Sequence, residues 1–256
     1  MKRQAAAPPP AGPVEATAAA SQSVARPVGD PATEHRAIRS FVVRAGRMTG
    51  GQDRAWQELW PKYGIDPGTG LIDFAAVFGR AAPVTFEIGF GNGEALVALA
   101  QAHPERNFVG LEVHRPGVGH LMLRCETAGL ANVRVICQDA MEILQHHVAD
   151  GALDEVLLYF PDPWPKKRHH KRRIVQPGFT ELVARRLGPA GTLRMATDWQ
   201  PYAEHMLAVV SACASLRSES ADGSFVARPD SRPLTRFEQR GKRLGHGVWD
   251  LAFRKR

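Results

Sequence analysis

Val84-Thr85-Phe86-Glu87-Ile88-Gly89-Phe90-Gly91-Asn92-Gly93 is the stretch that decides the fold. Its first half is a short apolar run, its second half carries glycine at every other position, and Glu94–Ala102 continues with helical spacing of apolar side chains. A buried strand, a tight turn and a helix in that order open a βαβ unit. The pattern recurs outward: Phe108–Val113, Val133–Cys137, Val156–Phe160 and Thr192–Ala196 are further candidate strands. Between and after them, Gly117–Gly129, Ala140–Val148, Phe179–Leu187 and Tyr202–Val210 read as helices, and Val248–Phe253 as a last strand. Several strands are nearly all apolar, as strands covered by helices on both faces must be. The expectation is an α/β fold with a mostly parallel sheet flanked by helices, and no internal repeat.

Toward the N-terminus the composition changes. Residues 1–33 are dominated by Ala, Pro, Ser and Gly and are expected to be a disordered tail. Residues 34–82 are expected to form a basic arm and linker, and 83–256 the main domain. The stretch from His35 to Arg54 sets Arg36, Arg39, Arg44, Arg47 and Arg54 around Phe41, Val42 and Val43, with Trp56, Leu59 and Trp60 following. An ordered arm that meets RNA and a surface segment packed on the domain fit it equally. With 256 residues, 44% of them hydrophobic and 23% charged, the chain can build one sizeable core. The formal net charge of +7 favours a polyanionic partner, a nucleic acid or a membrane surface. No apolar run approaches the ~20 residues of a membrane-spanning helix, so a soluble protein is expected. Cys125, Cys137 and Cys213 have neither an even count nor ligand spacing, so neither a disulfide framework nor a metal site is expected, and a reducing cytoplasm fits best. Met1-Lys2-Arg3 is followed by no continuous apolar stretch, so no targeting signal is read.

In an open α/β sheet, ligands sit beyond the carboxyl ends of the strands. At that edge, the glycines at 89, 91 and 93 let the backbone turn sharply and approach a ligand closely. A nicotinamide-binding turn would need its third glycine at position 94, which is Glu94, so the spacing argues against a dinucleotide. Successive strands each bring an acidic residue to the same edge: Glu87, Glu112, Asp139 and Asp162. Singly, each is an ordinary loop carboxylate. Together they call for a cationic or hydroxyl-rich ligand, and S-adenosylmethionine offers an ammonium, a sulfonium, a ribose diol and an adenine amine. Glu112 is placed for the ribose and Asp139 for the adenine.

The loop after the fourth strand reads Tyr159-Phe160-Pro161-Asp162-Pro163-Trp164-Pro165-Lys166-Lys167-Arg168-His169-His170-Lys171-Arg172-Arg173. The prolines fix their own φ and push preceding residues toward extended conformations, so Asp162 and Trp164 are expected to be held with little freedom. Trp164 offers a face for a base and is nearly as well read as a buried structural side chain. Residues 166–173 contain six Lys/Arg and two His. Inside a folded domain and beside the methyl-donor edge, this run is expected to contact RNA phosphates through Arg168, His169, His170, Lys171, Arg172 and Arg173.

The chain resembles the bacterial tRNA (guanine-N7-)-methyltransferase family. The matching segments are Arg39-Ser40-Phe41-Val42 with Gly46-Arg47, Glu87-Ile88-Gly89-Phe90-Gly91, Gly110-Leu111-Glu112-Val113-His114, Phe160-Pro161-Asp162-Pro163-Trp164, Lys171-Arg172-Arg173, Thr197-Asp198 and Thr235-Arg236-Phe237-Glu238. They cover almost everything from Arg39 onward, and the Ala/Pro tail lies outside the family's pattern. The resemblance implies a Rossmann-like class I S-adenosylmethionine-dependent methyltransferase fold and methylation of a guanosine in the variable loop of tRNA. It implies that Glu87, Glu112 and Asp139 take the methyl donor and that Asp162 belongs to the catalytic centre; Gly89 and Gly91 of the turn and Asp162 at the same edge are expected to bind the donor as well. It assigns Lys166, Asp198, Thr235, Arg236, Phe237 and Glu238 to the substrate. From the residues alone, Asp198 reads equally as a helix cap and Arg236 with Glu238 as a surface pair. The expected partner is tRNA, with no membrane, no metal, and a monomer or homodimer.

Guanine N7 carries an in-plane lone pair, so its methylation needs no prior deprotonation, and Asp162 is expected to orient and stabilise the base. Exocyclic-amine methylation is the enzymatic alternative. A non-catalytic RNA-binding protein on the same fold is the alternative from another class, and a dehydrogenase fits least.

Overall fold

The computed structural model describes residues 39–41, 47–234, 238 and 247–256, all within one compact unit spanning 38–256. The tail expected at 1–33 lies outside the described residues, as do Arg36, Val42, Val43 and Arg44 of the arm.

Three short helices come first: α1 (Gly50–Glu58), α2 (Trp60–Tyr63) and α3 (Phe74–Phe78). Strands and helices then alternate as β1 (Val84–Ile88), α4 (Glu94–Ala102), β2 (Asn107–Leu111), α5 (Arg115–Thr127), β3 (Val133–Ile136), α6 (Ala140–His146) and β4 (Leu153–Tyr159). A 3-10 helix over Lys167–Arg172 precedes α7 (Pro177–Arg186), β5 (Leu187–Thr197), α8 (Gln200–Ser211), β6 (Leu216–Ser218) and β7 (Trp249–Lys255). Among the described residues, seven strands form one sheet in the order β3-β2-β1-β4-β5-β7-β6. The five strands from β3 to β5 pair in parallel, whereas β7 runs antiparallel to both β5 and β6.

Side chains alternate across the strands, and both faces are covered. Phe86, Val109, Leu111, Val156 and Leu158 enter one apolar layer, with Phe179, Leu182 and Tyr202 from α7 and α8. Phe108, Val133 and Leu157 enter the other, with Leu96, Leu121 and Met122 from α4 and α5. Each such buried side chain contributes roughly 1.5–3 kcal/mol. The N-terminal helices share these layers: Tyr63 is buried in the second, and Phe74 meets Phe86 edge-on at 5.5 Å in the first.

Two departures from the sequence reading have local causes. The fifth strand starts at Leu187 rather than Thr192, because Leu187 pairs with Leu153 and the ladder resumes at Thr192 with Glu155 across an irregularity. The intervening Gly188-Pro189-Ala190-Gly191 reads as a loop in sequence and is an irregular stretch of the strand, four residues opposite Asp154 alone. The short β6 carries no alternation long enough to be read, and its ladder is completed by β7 alone.

The C-terminal part of the sheet is tied by buried charge. Arg232, 1% exposed, donates through Nε to Asp250 Oδ1 at 2.8 Å and through Nη1 to Glu238 Oε2 at 2.5 Å, and its Nη2 reaches the second oxygen of each carboxylate. Asp250 lies on β7, opposite Ala196 of β5. Breaking a buried pair by removing one partner leaves an uncompensated charge. Asp250→Ala is therefore expected to destabilise the domain by about 3–5 kcal/mol. Urea unfolding should read this as a lower midpoint with an unchanged slope.

Candidate active site

β1 and β4 are neighbours, and the chain leaves the sheet on opposite sides of them, so their carboxyl ends flank the crevice where ligands bind in such sheets. At the end of β1, Gly89 and Gly91 have φ of 72° and 59°, the left-handed region that side chains rarely adopt. A Cβ on either would meet nothing within 4 Å, so the space above the turn is open. The turn is pinned from behind. Gly91 N–H donates to Glu112 Oε2 at 3.0 Å, and α5 approaches so closely that a Cβ on Gly117 would lie 2.3 Å from the Gly91 carbonyl oxygen.

Glu112 also accepts, through Oε1, the N–H groups of Val113 at 2.8 Å and His114 at 3.0 Å. Three backbone donors thus fix the carboxylate. The sequence reading offers the whole group to a ribose diol, whereas two of its acceptor sites on Oε1 are already occupied. Asp139 caps α6 by accepting from Met141 N–H through Oδ1 at 2.9 Å. Glu87 is buried, and its Oε2 has no hydrogen-bond partner among the described residues. Burial, reinforced by the charge of Glu112, pushes its pKa up to about 8. Burial likewise pushes the Tyr159 hydroxyl well above its ordinary range.

A cleft of about 220 Å³ is lined by Gly89, Glu112, Asp139 and Asp162, with Ser40 and Phe41 from the N-terminal segment. The acidic residues expected after the second, third and fourth strands therefore meet in one cavity, while Glu87 is buried just before the lining residues Ile88 and Gly89.

The Asp162 turn is strained. Phe160 and Trp164 have φ of 52° and 46°, so the residues preceding Pro161 and Pro165 are left-handed, not extended as the prolines alone imply. Each such residue costs roughly 1–2 kcal/mol, and the conformation persists only where the surroundings over-determine it. Phe160 N–H donates to Ala196 O at 2.7 Å, Trp164 Nε1 to Ser40 O at 3.1 Å, and Arg173 Nε to Pro163 O at 2.9 Å. Arg172 stacks over the Trp164 ring at 4.1 Å, with His169 edge-on at 5.8 Å, so much of the indole is covered by protein.

The basic run divides by direction. Lys166, Lys167, Arg168 and Lys171 are exposed; His169, His170 and Arg172 are half-buried; Arg173 is 3% exposed. Arg172 donates to the carbonyls of Arg39 and Phe41, both at 3.2 Å, fastening residues 39–41 to the loop. RNA contact, expected of the whole run, does not fit Arg173, whose guanidinium is turned inward. Desolvation and the neighbouring cations Arg168 and Arg172 lower the His169 pKa.

The expected substrate group is only partly brought together. Lys166 is exposed and Asp198 half-buried just beyond β5. Glu238, read as a substrate ligand or half of a surface pair, is fully buried against Arg232, with Arg228 at 3.3 Å. Thr235, Arg236 and Phe237 lie outside the described residues. No group of three His, Cys, Asp or Glu among the described residues has an arrangement that would hold a metal, and no helix of the described residues is long and apolar enough to cross a membrane. Sequence reasoning missed Ser40 and Phe41 as cleft-lining residues and Arg173 and Arg232 as buried anchors. Inside a run of cations or a loop of mixed polarity, no periodicity marks which side chain turns inward.

A family model described as "Putative methyltransferase" matches residues 81–251. A tRNA (guanine-N(7)-)-methyltransferase of Pseudomonas aeruginosa (strain UCBPP-PA14) is 58% identical over 226 residues, covering 88% of this chain and 93% of that protein. The enzyme of the same name from Sodalis glossinidius is 59% identical over 220 residues, covering 86% and 92%. Among solved structures, the 16S rRNA methyltransferase KamB superposes with a TM-score of 0.52 at 15% identity, over 84% of this chain and 98% of that one, a likeness of fold. A strand order of β3-β2-β1-β4-β5-β7-β6, an acid-lined cleft at its reversal point and identity of this breadth converge: the chain belongs to the tRNA (guanine-N(7)-)-methyltransferase family.

Proposed function

We propose that this chain transfers the methyl group of S-adenosylmethionine to N7 of a guanosine in the variable loop of tRNA, in a reducing cytoplasm. The observation that carries this reading is that the Asp162 carboxylate shares a cleft with Glu112 and Asp139 and is followed directly in the chain by exposed Lys166, Lys167, Arg168 and Lys171.

The residues present fit the methyl donor. Open space above Gly89 and Gly91 admits a ligand against the backbone, and the unpartnered Glu87 Oε2 suits a cation. Asp139, tied through Oδ1 alone, keeps Oδ2 for an adenine amine. S-adenosylmethionine supplies an electrophilic methyl group on a sulfonium. Guanine N7 needs no general base, so the protein's task is orientation and exclusion of water, which can lower a barrier by roughly 7–11 kcal/mol. Asp162, held in a strained turn, orients the base and stabilises the positive charge it acquires. Phe41 and Ser40 shield the cleft. The exposed cations hold the phosphate backbone, and Asp198, half-buried just beyond β5, is assigned to the substrate.

Asp162→Ala is expected to lower kcat on the order of 100-fold or more, with an unchanged thermal midpoint and 7-methylguanosine still the trace product. Normal turnover, or a product methylated on the exocyclic amine, would overturn the reading. Glu87 gives a second test. With a pKa of about 8 the Glu87 carboxyl is mostly protonated at pH 7, and a cationic ligand favours its ionised form. Affinity for the methyl donor should therefore rise as pH increases from 6 toward 8, with proton release measurable by calorimetry in buffers of different ionisation enthalpy. Glu87→Gln should abolish the release; equal release by wild type and variant would refute the role.

A further inference from the structure

Arg173 ends the basic run but does not share its direction. It is 3% exposed, its Nε donates to Pro163 O at 2.9 Å, and Nη2 lies 3.2 Å from His170 Nε2. Its guanidinium carbon sits 4.8 Å from the ring centroid of Tyr202, a fully buried side chain on α8. Among the described residues no carboxylate forms an ion pair with it. A buried guanidinium without a carboxylate is costly, and an apolar side chain would fill the same space without that cost. What the guanidinium offers here is a rigid planar donor aimed at one carbonyl.

That carbonyl belongs to the residue immediately after Asp162. We infer that Arg173 is a positioning residue for methyl transfer: by gripping the Pro163 carbonyl against Tyr202 it fixes the direction in which the turn presents Asp162. The inference rests on the reading above, in which Asp162 belongs to the catalytic centre. Three contacts support the left-handed residues that bound the turn. The Phe160 N–H bond to Ala196 O pins its entry to β5, and the Trp164 indole bond to Ser40 O ties its exit to the N-terminal segment. Arg173 holds the middle, on the one backbone polar group that Pro163 possesses, and anchors it to the body of the domain through α8. The exposed cations Lys166, Lys167, Arg168 and Lys171 would act on tRNA affinity; Arg173 would act on the chemical step.

Arg173→Lys tests this, since it keeps the charge and loses the planar fork. Steady-state methylation of unmodified tRNA should show kcat reduced on the order of 10- to 100-fold. The KM for tRNA, its salt dependence and the calorimetric affinity for S-adenosylmethionine should stay within about twofold of wild type. In 15N-labelled protein the Trp164 indole signal should shift while those of Trp56, Trp60 and Trp249 hold. Should the lysine variant fail to fold, Arg173→Gln keeps a neutral donor at the same carbonyl and is read identically. An unchanged kcat, or a raised KM with a shallower salt slope, would overturn the inference in favour of no role or of RNA contact. Asp162→Ala is assayed alongside: an inactive Asp162 variant with a fully active Arg173 variant sinks this inference alone, and an active Asp162 variant sinks both.

Discussion

The pairing of β1 with β2 on one side and β4 on the other is the constraint on which the rest of the molecule depends. Parallel neighbours must be joined by crossovers, and because the chain winds outward from β1 in one direction and then returns to build in the other, two successive crossovers part at the β1 and β4 carboxyl ends. The gap is a product of topology. What the side chains do is line it, and the hydrogen bond from Gly91 to Glu112 couples the β1 turn to the end of β2 so that the acidic wall and the glycine floor keep a set separation.

Charge is used in two opposite ways within a few residues. The exposed cations of the basic run are solvated and act over distances set by salt. Arg172, half-buried, and Arg173, buried, act through geometry: one covers the Trp164 ring and holds the carbonyls of Arg39 and Phe41, the other holds the Pro163 carbonyl. Arg232 repeats the device from the other end of the sequence, its guanidinium carbon 5.6 Å from the Phe160 ring centroid while it binds Glu238 and Asp250. The strained turn thus stands between arginines contributed by segments distant in sequence.

The alternation of apolar strands and amphipathic helices made the α/β architecture legible, and the bounds of Val84–Ile88 and Glu94–Ala102 follow from the glycine turn between them and from Pro83 and His103-Pro104 at their outer ends. The acidic series was legible for a related reason: a residue just past a strand end has its place set by topology. Glu238 was not, because its burial depends on Arg232 and Asp250, partners that no local pattern announces. The left-handed backbone at Phe160 and Trp164 was hidden too, since the restriction on a residue before proline is a local steric preference and tertiary contacts override it here. The inward turn of Arg173 depends on an α8 ring almost thirty positions away.

β7 lies between β5 and β6 in the sheet, although it follows both in the chain. While a ribosome is still extending the polypeptide, Leu216–Ser218 has no ladder to join and Arg232 lacks its Asp250 counter-ion. The parallel half, from β3 through β5, can condense first, leaving one edge of β5 unsatisfied until Trp249–Lys255 emerges and slots in. Such long-range closure is a slow step in chain assembly and a point of vulnerability to edge-to-edge association. The Phe160 side of the turn, which packs toward Arg232, thus reaches its final surroundings only after the parallel strands are in place.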